Sequence, residues 1–185
     1  MKKAYLFLAE GFEESEALVT VDLLRRGGIS VTTVSVKGSS EVTGRSGICV
    51  RADSLFEECS FEDASAVIVP GGQPGTNNLK AHKGVAEVLR KADADGIFIC
   101  AICAGPTVPG GLGLLKGKTA TCYPGCEDGL AGARFTEKEV AVDGHFITSR
   151  GVGTVIPFAL MIVEMLEGKQ TADKVAEGIV YHRAG

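Results

Sequence analysis

The stretch Gly96-Ile97-Phe98-Ile99-Cys100-Ala101-Ile102-Cys103-Ala104-Gly105-Pro106 decides the fold. Ile97 to Cys100 is a short, nearly continuous apolar run of β-branched and aromatic residues, which suits a parallel strand covered on both faces. The run breaks at Cys103. Ala104, Gly105 and Pro106 are small or φ-restricted and permit a sharp strand-to-helix turn, with Pro106 tolerated in the first helical turn. That turn predicts Cys103 at a helix N-terminus, where unpaired N–H groups and the positive end of the helix dipole stabilise a thiolate. Cys103 is the leading candidate for chemistry.

On the N-terminal side, Lys3 to Ala9 reads as a first strand and Gly11 as its turn. Glu13, Glu14 and Glu16 open a helix with apolar period Ala17, Leu18, Val21 and Leu24, stopped by Arg25, Arg26, Gly27 and Gly28. Ile29 to Val36 is a second strand. Gly44 to Ala52 reads as a strand in a small hairpin or flap outside the main parallel order, and Asp53 to Glu62 as irregular chain. Ala66 to Val69 is a buried strand halted at Pro70-Gly71-Gly72-Gln73-Pro74-Gly75, and a helix runs through Val85 to Leu89 and ends before Gly96. On the C-terminal side, Leu112 to Leu115 offers a short helix, Lys118 to Cys122 a strand, and a short helix follows through Leu130. Val140–Val142, Asp143-Gly144 and Phe146–Ser149 carry a hairpin signal. A helix follows with Thr154 as N-cap, Pro157 in its first turn and Gly168 as its stop, then a last helix from Ala172 to about Tyr181. Strands alternating with helices predict a doubly wound, mostly parallel α/β sandwich in a single domain over residues 1–185.

In such a sheet, ligands collect beyond the carboxyl ends of the strands. Cys103, the Gly11 turn and the Pro70-Gly71-Gly72 turn all fall there. Glycine lets backbone N–H groups approach a ligand, so Gly72 is a candidate oxyanion donor. Glu13 and Glu14 read as complements of the helix dipole. Glu16 is the acid able to point back across the strand ends, where a desolvated carboxyl stays protonated and donates to sulfur. Tyr123 places a phenol near the same ends. His82, His145 and His182 read as surface residues, so no base for a thiolate is evident.

Composition narrows the classes. A net charge of −4, with 23% charged and 45% hydrophobic residues, gives no basis for nucleic acid or an anionic membrane as partner. The apolar run after Lys2 and Lys3 is too short for a signal peptide, and none reaches the roughly 18 residues of a membrane span, so a cytoplasmic place is expected. Six cysteines at 49, 59, 100, 103, 122 and 126 in a chain this long read as reduced thiols rather than a disulfide scaffold. Cys100 and Cys103, followed by Cys122 and Cys126, come close to a zinc-ribbon spacing, and Cys100–Cys103 also has redox-dithiol spacing. A buried Cys100 beside a separate reactive Cys103 fits the strand context better. No Gly-x-Gly-x-x-Gly or Walker pattern is present, so no nucleotide cofactor is implied. Covalent thiol catalysis on a carbonyl compound and thiol-based redox sensing without turnover remain.

The motifs Glu13-Glu14-Ser15-Glu16, Val21 to Arg26, Pro70-Gly71-Gly72, Ala101 to Pro106 and Thr148 to Thr154 come in order along almost the whole chain. Together they resemble the ThiJ/PfpI superfamily, and within it a bacterial-type member of the branch of the parkinsonism-associated deglycase, the DJ-one branch. The resemblance implies a flavodoxin-like three-layer sandwich, similar to class I glutamine amidotransferases, and a homodimer. It implies Cys103 as nucleophile, Glu16 as its protonated partner, and the Gly72 and Ala104 amides as oxyanion donors, with no cofactor and no metal. The implied activity is a glyoxalase- or deglycase-type reaction on methylglyoxal, related small aldehydes or early glycation adducts. The alternative it carries is oxidation of Cys103 to sulfinate in a non-catalytic stress sensor. Two departures matter: Tyr123 stands where some relatives have a histidine, which weakens a proton shuttle, and Ala104 stands where protease-like relatives have one, which disfavours peptide hydrolysis and their hexamer.

Overall fold

The computed structural model describes residues 1–182. The elements in order are β1 (Lys3–Leu8), α1 (Glu14–Arg26), β2 (Ser30–Ser35), β3 (Glu41–Thr43), β4 (Cys49–Arg51), β5 (Ser54–Leu55), β6 (Ala66–Val69), α2 (Gly75–Ala81), α3 (Lys83–Asp95) and β7 (Phe98–Ile102). They continue as α4 (Thr107–Gly111), β8 (Thr119–Ala120), β9 (Arg134–Phe135), β10 (Val140–Asp143), β11 (Phe146–Ser149), α5 (Val155–Glu167) and α6 (Lys169–Gly178).

Seven strands form one sheet in the order β10-β11-β7-β6-β1-β2-β5, parallel throughout except for the antiparallel β10–β11 hairpin. Successive side chains of a strand point to opposite faces, and here both faces are apolar because helices cover both. From β1, Ala4, Leu6 and Leu8 enter a core with Leu24 of α1 and Phe158 and Ile162 of α5. Tyr5 and Phe7 enter the other core, with Val85, Leu89 and Ala92 of α3. Cys100 sits fully buried in the first core. This is the flavodoxin-like three-layer α/β sandwich. No helix among the described residues is long and apolar enough to cross a membrane.

The chain runs from β1 to β2 on one side, then returns to build β6, β7 and β11 on the other. The crevice at this switch lies beyond the carboxyl ends of β1 and β6. Register keeps those ends level: Leu6 pairs with Ile68, Val69 with Ala101, and Ile102 with Ser149.

Several element bounds differ from the sequence reading. The flap is a β3–β4 hairpin with Val42 opposite Val50, so residues 44–48 are its turn rather than strand. The chain after Asp53 holds the two-residue edge strand β5. α2 occupies the glycine- and asparagine-rich lead-in to α3. The short helix expected at 112–115 falls earlier, at α4, because Gly113 is left-handed and ends it. The strand expected at Lys118–Cys122 shrinks to β8, and the last helix is shifted to Lys169–Gly178. Thr154 stands at the N-cap position of α5, as expected, but its side chain makes no capping bond to the helix. Its hydroxyl instead accepts from the backbone N–H groups of Arg150 (3.2 Å) and Gly151 (3.1 Å), closing the turn before the helix.

Candidate active site

β7 delivers Cys103 to the crevice on an elbow. Cys103 has a φ of 63°, a left-handed conformation that costs a non-glycine residue about 1–3 kcal/mol and persists only where its surroundings over-determine it. Three backbone bonds do so here. Cys103 N–H donates to the Ser149 carbonyl (3.0 Å), Gly105 N–H to Ile102 (2.8 Å), and Tyr123 N–H to the Cys103 carbonyl (2.8 Å). The turn also requires Gly105, since a Cβ there would lie 2.4 Å from the Val69 carbonyl oxygen and 2.7 Å from that of Ile102. Both obstacles are backbone that cannot step aside. Gly105→Ala is therefore expected to destabilise the chain by about 3 kcal/mol, read as a lower urea midpoint.

Glu16 reaches the sulfur from the first turn of α1. The Glu13 carboxylate caps that helix by accepting from Glu16 N–H at 2.7 Å. Glu16 is fully buried, hydrogen-bonds Cys103, and its Oε2 accepts from Gly71 N–H at 2.8 Å. Its Oε1 is buried with no partner. The close approach depends on Gly71, where a Cβ would lie 2.6 Å from Cys103 Cβ and 2.7 Å from Glu16 Oε2.

Burial pushes the Glu16 carboxyl up to about 7, and the charge of Glu13 adds to this against the Gly71 amide, Cys103 and Arg45. Burial likewise pushes the Cys103 thiol up to about 12, followed by the charge of Glu16 and its hydrogen bond, against the amides of Ala104 and Gly72. Two of those three upward causes act only while Glu16 is ionised. Moving a proton from sulfur to carboxyl removes these two causes and leaves burial as the one that still opposes the thiolate.

The helix-dipole expectation needs correction. α4 has only five residues, beginning at Thr107, and one turn aligns too few peptide dipoles to act as a strong terminus. The sulfur instead meets the Ala104 and Gly72 amides.

Outside the pair lies a cleft of about 440 Å³ lined by Glu13, Glu16, Arg45, Cys103, Tyr123 and Arg150, among others. Tyr123 is 52% exposed, with its ring 3.4 Å from where a Gly151 side chain would start. Arg150 follows β11, and its Nη1 is buried with no partner. Sequence reasoning missed both arginines and Gly71. Arg150 and Gly71 stand inside motifs already singled out, whereas nothing local marks Arg45. Arg45 arrives on the flap, which Glu14 fastens to α1 by accepting from Ser46 N–H at 2.8 Å. Glu14 is thus a buried tie rather than a plain dipole complement.

None of the three histidines lines the cleft. His82 accepts from Val85 N–H at 3.1 Å as the cap of α3, and His145 bonds Asp93 at 2.8 Å, so both are half-buried structural residues rather than surface ones. His182 is exposed. Among the described residues, no group of three or more His, Cys, Asp or Glu converges as a metal site.

The strained elbow and the parallel sheet beneath it place the chain in the class of α/β sandwiches that present a cysteine beyond the carboxyl ends of their strands. Residues 2–165 match the DJ-1/PfpI family, and the chain belongs to it. It is 40% identical over 181 residues to protein DJ-1 homolog B of Arabidopsis thaliana, covering 97% of this chain and 41% of the plant protein. The chain thus spans less than half the length of that relative. It is 29% identical over 167 residues to a deglycase of Pyrococcus abyssi, covering 89% of this chain and 99% of that one. Among solved structures, oxidized DJ-1 of Toxoplasma gondii superposes with a TM-score of 0.95 at 34% identity, covering 99% of this chain and 100% of that one.

Proposed function

We propose that the chain is a cofactor-independent, cysteine-dependent enzyme that converts methylglyoxal or related small aldehydes and early glycation adducts. The observation that carries this reading is the fully buried Glu16 carboxyl, raised to about 7 by that burial, beside Cys103 at the cleft. A deglycase among the relatives supports it.

The chemistry follows from where the proton sits. Transfer from sulfur to Glu16 gives a thiolate, which attacks the aldehyde carbon and forms a C–S bond. The aldehyde oxygen takes the developing charge facing the Ala104 and Gly72 amides, then the proton from Glu16, giving a hemithioacetal. Glu16, now ionised, is placed to remove the carbon-bound hydrogen. Returning it to the adjacent carbon, as the hydroxyl proton passes to the neighbouring oxygen, moves the carbonyl and leaves a lactoyl thioester. Water cleaves that thioester, releasing lactate and the thiol, so methylglyoxal plus water becomes lactate with no external oxidant. Arg45 and Arg150 supply positive charge for the enediolate and for the product carboxylate. Tyr123 offers a phenol where a histidine would shuttle protons at neutral pH, which favours a low rate.

The test is lactate formation from methylglyoxal, with Cys103→Ser as control. Lactate in molar excess over protein supports the enzyme. No turnover, with ready conversion of Cys103 to sulfinate under peroxide, overturns it in favour of a stress sensor.

We further propose a single domain over residues 1–185 acting as a cytoplasmic homodimer. Leu18, Ile48 and Val152 are 41%, 54% and 48% exposed, and apolar side chains this open on α1, the flap and the rim of the cleft suit a partner surface. Sedimentation is expected to give twice the chain mass, and Leu18→Glu to shift it toward the monomer.

A further inference from the structure

Two thiols that the proposed reaction does not use lie at opposite ends of one tight turn. Tyr123-Pro124-Gly125-Cys126 is closed by Cys126 N–H donating to the Tyr123 carbonyl at 3.0 Å, and Gly125 is left-handed at φ 89°. Proline second and a left-handed glycine third make it a type II turn. Cys122 enters the turn with its side chain fully buried in the core, and Cys126 leaves it half-buried, packed against that same core. Both side chains thus pack into one and the same core. After burial and the charge of Glu127, the charge of Cys126 is the next cause that raises the Cys122 thiol.

The chain on either side is anchored. Thr121 N–H donates to Thr148 Oγ1 at 2.9 Å, and Gly129 N–H to the Cys126 carbonyl at 3.0 Å. Tyr123, Pro124 and Gly125 between them are exposed. Closing a disulfide demands a short, nearly fixed sulfur–sulfur length and a defined dihedral, so the exposed turn is the part that must adjust. That turn carries Tyr123 and Pro124 into the Cys103 cleft, and Tyr123 N–H holds the Cys103 carbonyl at 2.8 Å.

We propose that Cys122 and Cys126 are a redox-active dithiol whose disulfide closes across the Tyr123–Cys126 turn and lowers the reactivity of Cys103. The oxidant is a hydroperoxide. The half-exposed Cys126 thiol takes one peroxide oxygen, giving a sulfenic acid and releasing an alcohol or water. Cys122 sulfur then attacks Cys126 sulfur, the S–O bond breaks, and the hydroxyl leaves as water with the Cys122 proton. Two thiols are oxidised by two electrons and one O–O bond is reduced. This inference concerns thiol chemistry and stands whether or not Cys103 turns over an aldehyde.

The test has two arms. In the first, Cys103→Ala protein is treated with hydrogen peroxide, alkylated and mapped by mass spectrometry. The expected result is a peptide holding both Cys122 and Cys126, lighter by two hydrogens and open to alkylation only after dithiothreitol. Alkylation of both thiols after oxidation, separate oxygen adducts on each, or pairing with Cys49 or Cys59 would overturn the proposal. In the second, unmodified chain is oxidised with diamide, which forms disulfides without adding oxygen, and Cys103 alkylation by iodoacetamide is timed. The rate is expected to fall by about tenfold, the scale of a small displacement at a reacting centre, and to recover with dithiothreitol. Cys126→Ser, at a half-exposed position, is expected to keep the unoxidised rate and lose the diamide response. A disulfide that forms without changing the Cys103 rate, or a response that persists in Cys126→Ser, contradicts the coupling.

Discussion

Cys103→Ser is expected to lower lactate formation from methylglyoxal by at least about 10⁴-fold with little loss of stability. Serine keeps the size and the elbow conformation, so the three backbone bonds that hold φ at 63° remain. What changes is acidity. A hydroxyl ionises far less readily than a thiol, and Glu16, pushed up only to about 7, is too weak a base to hold its proton. The Ala104 and Gly72 amides still face the reacting position, but nothing there attacks carbon. The measurement is enzymatic lactate quantitation beside a urea melt. A variant that melts normally and retains more than a few per cent of turnover would remove Cys103 from the mechanism.

Glu16→Gln is expected to produce the second large effect, a loss of about 10³-fold in turnover, within the range for removing a general acid–base. Glutamine is isosteric. Its amide oxygen can accept from Gly71 N–H as Oε2 does, and its amide nitrogen can donate to sulfur. It cannot take up or return a proton. Stability should move the other way. The folded carboxyl titrates at about 7 against 4.5 for an ordinary glutamate, so between those values the folded chain holds more protons than the unfolded one. Stability from this group is fully present below pH 4.5, falls as pH rises through the window, and is lost above about 7, a difference of about 3 kcal/mol. Glu16→Gln removes that slope, so the variant should be more stable than the parent near about pH 8 and gain little near about pH 5. Urea midpoints at both values check the sign.

The strands of the sheet were legible because both faces are covered: unbroken apolar runs at Ala66–Val69 and Ile97–Ile102 have few other uses. The β10–β11 hairpin was legible from Asp143-Gly144. α2 was not, since Gly75, Thr76, Asn77 and Asn78 favour turns, and burial of Leu79 in the core overrides that preference. α4 was misplaced because Leu112, Leu114 and Leu115 look helical, while the residues that do coil include Pro109, tolerated in a first turn where its missing N–H is not needed.

The site divides in the same way. Cys103 announced itself through its neighbours Gly105 and Pro106, and Glu16 through its place at the start of a helix after a strand end. Which of two adjacent glycines reaches the carboxyl depends on the path of the 70–75 turn, so Gly71 was hidden behind Gly72. Arg45 depends on a tie between Glu14 and Ser46, 32 residues apart, which no local pattern records.

The proposed chemistry rests on a carboxyl that exchanges its proton near neutral pH beside the Cys103 sulfur, and a carbon-13 NMR titration of the Glu16 side chain in the unmodified chain reads that directly. The predicted result is a midpoint at about 7, shifted by alkylation of Cys103; a midpoint at the ordinary 4.5, unchanged by alkylation, would contradict it.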